Sequence, residues 1–268
     1  MIIKEIESIS LVNKSNLPGT DYVANPYTGC SHGCIYCYAR FMKRFTGHQE
    51  PWGEFVDVKI NAKELAKKEL SKLGQKTVLL SSVTDPYQPL ERKYELTRKI
   101  LEQAVVNNTP ISILTKSNLV LRDLDLLKQL DNCSVGISFS SSNDSIREIF
   151  EPRTSSVEQK FKALDEIKKS GVKTYAFLGP ILPELTNIET LFERFSQIRT
   201  DLVMVENLNM KGTIFSSVIN VIRENYPNLV DLYYHIQQKP DSYWNPIKSE
   251  IVTLSHKYQL PIKIYFDH

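Results

Sequence analysis

The 268-residue chain carries 33 basic and 31 acidic residues, a net charge of +2, and 41% hydrophobic residues. That content can bury the core of a full α/β domain, and the near-neutral balance excludes a surface built to coat nucleic acid while leaving room for a local basic groove. The N-terminus lacks a charged region followed by an apolar signal core, and no apolar run approaches bilayer-spanning length, so a cytoplasmic protein with no membrane partner is expected.

In chain order, residues 6–12 carry a strand pattern, followed by a polar turn containing Pro18-Gly19. Residues 22–26 predict the first barrel strand, which delivers a loop with Cys30, Cys34 and Cys37 in the spacing CxxxCxxC. Gly29 and Gly33 suit such a loop, because wrapping a cluster needs backbone conformations that a Cβ obstructs. Three thiolates so spaced can hold three irons of a cubane cluster and leave the fourth iron open to a substrate or cofactor. They can also bind zinc, with His32 or Cys133 as the fourth ligand, or remain buried thiols. Structural zinc usually takes paired CxxC knuckles; the chain has no second pair, and His32 sits inside the loop itself. Three clustered cysteines and one remote do not make a disulfide framework, which fits a reducing compartment.

Residues 36–44 read as the first turns of a helix, 55–60 as an extended run, and Asn61 as the cap of a helix reaching residue 73. Strands at 77–81, 111–114, 135–139, 172–178 and 202–205 then alternate with helices at 94–106, 119–130, 157–169 and 188–198, the third of these ended by Gly171. Short apolar strands alternating with longer helices indicate a parallel sheet with right-handed crossovers. Six such units make an α/β fold, a partial (β/α)6 TIM-like barrel over residues 1–210. Residues 211–268 read as a mainly helical extension packed on the barrel, with helices at 214–226, 229–237 and 243–258 separated by Pro227 and Pro240, and a last strand at 262–266. Its aromatic group, Tyr233, Tyr234, His235, Tyr243 and Trp244, reads as packing against the barrel rather than a platform for stacking a base.

Barrels of this kind place their chemistry at the C-terminal ends of the strands, and those positions are polar here. They supply Ser81, Ser82, Thr84 and Asp85, then Thr115, Lys116 and Ser117, then Ser138, Ser140, Ser141 and Ser142, and finally Glu206, Asn207 and Asn209. Any one of these serines is ordinary loop and capping chemistry; their recurrence beside the cysteine loop points to ligands.

Five stretches carry a resemblance to a known family. They are Asn25-Pro26-Tyr27 through Tyr38, Ser82-Val83-Thr84-Asp85-Pro86-Tyr87-Gln88-Pro89-Leu90-Glu91, Thr115-Lys116-Ser117, Phe150-Glu151-Pro152-Arg153-Thr154-Ser155, and Gly179-Pro180-Ile181-Leu182-Pro183. With the aromatic Tyr36 before the third cysteine, the chain resembles the radical S-adenosylmethionine (radical SAM) superfamily and, within it, the branch related to spore photoproduct lyase. The resemblance implies that Cys30, Cys34 and Cys37 ligate a 4Fe-4S cluster whose remaining iron is chelated by S-adenosylmethionine. One electron from an external donor then yields methionine and a 5′-deoxyadenosyl radical that abstracts hydrogen from a substrate. It further implies that Lys116 and Ser140 hold the methionyl end of the cofactor, that Tyr36 lies over the cluster and offers backbone hydrogen bonds to adenine, and that Tyr38 reaches toward the radical. In the lyase a cysteine after the second strand returns a hydrogen atom to the product, and the matching position here is Ser82, whose O–H bond is too strong for that task. Tyr38 and Ser82 are therefore the catalytic positions to examine. The substrate is not identified by the sequence; nucleic acid or nucleotide is the class suggested by analogy with the lyase, and a monomer is expected. The competing reading is a non-enzymatic zinc or nucleic-acid-binding module built on the same loop. Cys133 precedes the fourth strand, at the end away from the chemistry, and reads as a structural thiol.

Overall fold

Each apolar run expected to be a barrel strand is a strand in the computed structural model, which describes residues 1–266. The strands are β1 (Ile2–Ile6), β2 (Val12–Lys14), β3 (Tyr22–Ala24), β4 (Tyr27–Thr28), β5 (Phe55–Lys59), β6 (Val78–Leu80), β7 (Ile111–Thr115), β8 (Cys133–Phe139), β9 (Lys173–Ile181), β10 (Leu202–Asn207) and β11 (Ile262–Tyr265). The main sheet runs β11-β10-β9-β8-β7-β6-β3-β2, parallel from β3 through β11, with β2 antiparallel at one edge. Its order ends at β2 and β11, so the barrel is open. A smaller sheet, β1-β5-β4, carries the segment that leads into and out of the cysteine loop.

Burial explains the strand composition. Residues 135–139 of β8 and 178–181 of β9 are buried at consecutive positions, as expected for parallel strands covered on both faces. Phe139 packs on Phe161 and Phe195 at ring-centroid distances of 4.5 and 5.2 Å, joining β8 to the helices Val157–Lys169 and Ile188–Ile198. Full burial of each such side chain stabilises the fold by about 1.5–3 kcal/mol. The first of those helices starts at a Ser156–Gln159 capping box, and its chain leaves through Gly171 at φ 86°.

Other expectations need correction. The strand expected at 6–12 is split: β1 ends at Ile6, and the amides of Ser8, Leu11 and Val12 bond instead to the side chains of Asn61 and Glu69 at 3.0, 3.0 and 2.7 Å. Asn61 precedes the helix Ala62–Leu70, but its side chain bonds Ser8 rather than capping that helix. The helix expected at 94–106 is Leu96–Asn107, set off at Glu95 (φ 52°) from a separate short helix, Glu91–Tyr94. Glu91 Oε1 then accepts from Thr97 N at 3.0 Å, supplying the longer helix with the acceptor its first turn lacks. Residues 119–130 form only a 3-10 stretch, Asn118–Asp123, and one turn, Leu124–Leu127. A helix that was not anticipated, Asp144–Phe150, is capped by Asn143 and ends at Glu151.

Beyond β10 come the helices Gly212–Asn225, Val230–Gln238 and Pro240–Tyr258, the last packed on Ile188–Ile198, before β11 pairs with β10. Among the described residues no helix is long and apolar enough to cross a membrane.

Candidate functional site

The cysteine loop follows β3 and the short β4 and is held by the chain that follows β6. Asn25 Oδ1 accepts from the amides of Ser82 and Val83 at 3.0 and 3.3 Å, Thr84 Oγ1 donates to the Gly29 carbonyl at 2.6 Å, and Gln88 Oε1 accepts from Ser31 N at 2.8 Å. Asp85, buried beneath, accepts from Tyr87 N, Thr115 Oγ1 and Lys116 N at 2.6 to 2.9 Å and lies 3.4 Å from His32 Nε2. Burial alone would raise the Asp85 carboxyl; His32, Thr115 and the Lys116 amide overcome it and hold the group below the ordinary aspartate value. His32 donates through Nδ1 to the Arg153 carbonyl at 2.8 Å. The loop is thus clamped from two sides by protein before any metal binds. Thr84 and Asp85, expected as ligands at the barrel mouth, serve as this clamp.

Two glycines make the clamp possible. Gly29 (φ 87°) lies so close to β5 that a Cβ would sit 2.5 Å from the Phe55 carbonyl oxygen, and a Cβ on Gly33 (φ 66°) would sit 2.5 Å from Arg153 Nη2. Cys30 and Cys34 are buried and Cys37 is half-buried. Burial, chiefly, pushes all three thiols above the ordinary cysteine value; Asp85 and then Cys37 add to the shift at Cys30, and Glu151, Cys37 and Cys30 add to it at Cys34. Three neighbouring thiols, two of them buried, that must shed protons to become ligands fit a metal cluster better than a packing role.

Beside Cys34 lies a buried network centred on Glu151. Lys116 Nζ stands 3.1 Å from Glu151 Oε1, Lys160 Nζ bonds Oε2 at 2.6 Å, Ser140 Oγ donates to Oε1 at 2.8 Å, and the Tyr36 hydroxyl also donates to Oε1. Lys116 further donates to Ser138 Oγ at 2.6 Å and lies 5.5 Å from the Tyr36 ring centroid. Burial would raise the Glu151 carboxyl, but the two lysines hold it well below the usual carboxylate range. Tyr36, Lys116 and Ser140, singled out on three separate strands and loops, therefore converge on one carboxylate.

At the mouth, the Tyr38 hydroxyl donates to the Ser82 carbonyl, joining the end of the cysteine loop to the loop after β6. The expected helix at 36–44 is a 3-10 stretch, Tyr38–Phe45, that starts only after the last cysteine. Cys133 opens β8, at the far end of the strand from this site, where burial pushes its thiol up to about 12. Tyr233 is fully buried, with its hydroxyl on the Pro183 carbonyl at 3.1 Å, and Trp244 packs edge-on against Tyr243 and Phe266; these rings are used in packing, as expected.

Sequence reasoning quoted Glu151 and Gln88 within motifs but gave them no role, and it passed over Lys160 and Trp52. The signal for Glu151 was available: an acid ahead of Pro152 and Arg153, on a chain whose Lys116 needed a counter-charge. Lys160 carried no such signal, because a lysine in an amphipathic helix ordinarily faces water.

The comparisons with known proteins agree with this geometry. The radical SAM superfamily profile matches residues 24–193. The uncharacterized protein MJ0683 of Methanocaldococcus jannaschii is 35% identical over 230 residues, 86% of each chain. A Pseudomonas phage M6 protein named radical SAM Nalpha-GlyT isomerase is 27% identical over 189 residues, 69% of this chain and 38% of that protein. Among solved structures, spore photoproduct lyase complexed with dinucleoside spore photoproduct has the same fold, with a TM-score of 0.63 at 18% identity over 84% of this chain and 66% of that one. With the profile covering well over half of its residues, including all three clustered cysteines, the chain belongs to the radical SAM superfamily, and its cofactors are a 4Fe-4S cluster and S-adenosylmethionine.

Proposed function

We infer that the chain is an enzyme that binds a 4Fe-4S cluster through Cys30, Cys34 and Cys37, cleaves S-adenosylmethionine reductively, and abstracts hydrogen from a nucleic-acid substrate. The observation that carries the first part is the clamped loop with its three thiols, two of them buried, beside the Lys116–Glu151–Lys160 group. When bound, the cluster supplies the electron that breaks the C5′ to sulfur bond of S-adenosylmethionine. This chain's residues do the rest. Two lysines against one carboxylate leave a net positive charge beside Cys34, suited to a thiolate-rich cluster and to the carboxylate of the methionyl group. The Lys116 ammonium is the donor for that carboxylate, the Ser140 hydroxyl becomes a second one by turning its proton away from Glu151, and Tyr36, pinned by Glu151, orients the loop backbone for adenine. Among the described residues no group of three His, Cys, Asp or Glu side chains is set to hold a single metal ion, as a structural zinc would require; a cubane places each thiolate on a different iron. Anaerobic purification with iron and sulfide analysis tests the reading. About four irons and four sulfides per chain are expected, and stoichiometric zinc in a colourless protein would overturn it.

The nucleic-acid reading rests on the stretch that follows the last cysteine. Tyr38, Phe41 and Phe45 are 53%, 40% and 67% exposed, and the Arg44 guanidinium lies 5.3 and 4.9 Å from the two phenylalanine ring centroids. Residues 22–49 contain no acidic side chain, while Arg40, Lys43 and Arg44 supply cations. An exposed, cationic row of aromatic rings beside the barrel mouth suits unstacked bases on a phosphate backbone. Spore photoproduct lyase, solved in complex with a dinucleoside spore photoproduct, has the same fold. Phe45→Ala should weaken binding of a fluorescent single-stranded oligonucleotide about fivefold, the equivalent of roughly 1 kcal/mol of stacking, and binding should fall steeply with salt. Unchanged anisotropy titrations would remove the nucleic acid from the proposal.

A further inference from the structure

The segment between Phe45 and β5 straps the cysteine loop from outside. Gly53 lies against Gly33 so closely that a Cβ on it would sit 2.7 Å from the Gly33 Cα, and Arg153 fastens the strap by donating from Nη2 to the Gly53 carbonyl and from Nη1 to Glu54, both at 2.8 Å. His48 is stacked on Phe55 at 4.4 Å and Trp52 meets the same ring edge-on at 5.9 Å. The strap therefore fixes where the Trp52 indole points. Its Nε1 is buried and has no nitrogen or oxygen acceptor. The group within hydrogen-bonding reach of that N–H is the Cys37 sulfur. A buried donor left unpaired is costly, and the group able to take this one is the sulfur of a metal ligand, a far better acceptor as thiolate than as thiol.

We propose that the Trp52 indole N–H donates to the Cys37 sulfur in the cluster-loaded protein and raises the reduction potential of the cluster. Trp52 is a positioning residue in this role, acting through Cys37 on the cluster. The proposal rests on the reading of Cys30, Cys34 and Cys37 as cluster ligands. Hydrogen bonds to ligand sulfur withdraw negative charge and favour the reduced state, which carries one more electron. That electron comes from the external low-potential donor, and the N–H changes only the equilibrium of its transfer.

The test is a dithionite-poised redox titration of the loaded, full-length protein, followed by the electron paramagnetic resonance signal of the reduced cluster. Trp52→Phe keeps an aromatic ring in the strap and deletes the donor. It should load iron normally and show about a tenfold lower reduced-to-oxidised ratio at a given ambient potential, a shift of about 59 mV to the negative for one electron. An unchanged midpoint at full iron loading overturns the proposal. Should Trp52→Phe load poorly, benzothienylalanine at position 52, which replaces the indole N–H by sulfur at nearly the same shape, decides: a negative shift supports the donor and an unchanged midpoint refutes it. A native protein that binds no iron and sulfide would fail earlier, at the assignment of the three cysteines, and would overturn both readings.

Discussion

Glu151 shows what a single side chain decides here. It is fully buried between Lys116 and Lys160, and it also receives Tyr36 and Ser140. Removing its charge leaves two ammonium groups in the interior with no counter-ion, so Glu151→Gln should destabilise the protein by about 3–5 kcal/mol, read by urea denaturation. The pH dependence has a defined sign. Because the folded carboxyl is held below its ordinary value of about 4.3, its contribution is fully present above that value and is lost as pH falls through the folded one. Native stability should keep falling below about pH 4, and the Glu151→Gln variant should lose that part of the slope.

Ser82 belongs to the same scale. Its amide and carbonyl are committed to Asn25 and Tyr38, and its hydroxyl cannot return a hydrogen atom as a thiol does. Cluster-loaded, reduced protein should therefore release no thymine in multiple turnovers from photoproduct-containing DNA. Ser82→Cys alone should not install that activity, since positioning dominates such steps. Chromatography of the released base checks both; multiple-turnover repair by the native protein would point to another donor, Tyr38 first.

At the scale of elements, the strap over residues 46–54 is the piece whose behaviour should change with pH. His48 lies between Asp57 (2.9 Å) and Glu50 (3.0 Å), one carboxylate on each ring nitrogen, which requires the imidazolium. The Asp57 hydrogen bond, first among the causes, raises the His48 value against the opposing effect of burial, with Glu50 adding to it. A raised folded value means that this stabilisation is complete below the ordinary histidine value of about 6.5 and is lost as pH rises through the raised one. Amide exchange over the strap, corrected for intrinsic rates, should lose protection as pH rises above the ordinary histidine value of about 6.5. His48→Gln should abolish that step; a step that survives would assign it elsewhere.

Elements with a full 3.6-residue period, such as Val157–Lys169 and Ile188–Ile198, were legible to the residue. Those governed by long-range side-chain bonds were not. Nothing local announces that Asn61 and Glu69 will take the amides of Ser8, Leu11 and Val12 and split the first strand, or that Glu95 will adopt φ 52° and set a short helix off from the next. Trp52 was illegible for the same reason, since its meaning lies in the closeness of Gly53 to Gly33.

For the whole molecule, the alternation of short strands and helices was enough to specify an open parallel sheet, and the cysteine spacing together with its flanking motifs pointed to the radical SAM superfamily. The spatial clustering of Tyr36, Lys116 and Ser140 around Glu151 required the fold, because their order in the chain says nothing about the helix that carries Glu151 between them.

The central claim is that this fold delivers one electron to S-adenosylmethionine through a cluster held by Cys30, Cys34 and Cys37. The direct measurement is 5′-deoxyadenosine, quantified by chromatography after anaerobic incubation of cluster-reconstituted, dithionite-reduced protein with S-adenosylmethionine. Native protein and Cys133→Ala should form it slowly even without substrate, and Cys34→Ala should form none. Absence of the product from native protein with verified cluster loading, or its loss in Cys133→Ala together with the iron, would contradict the account.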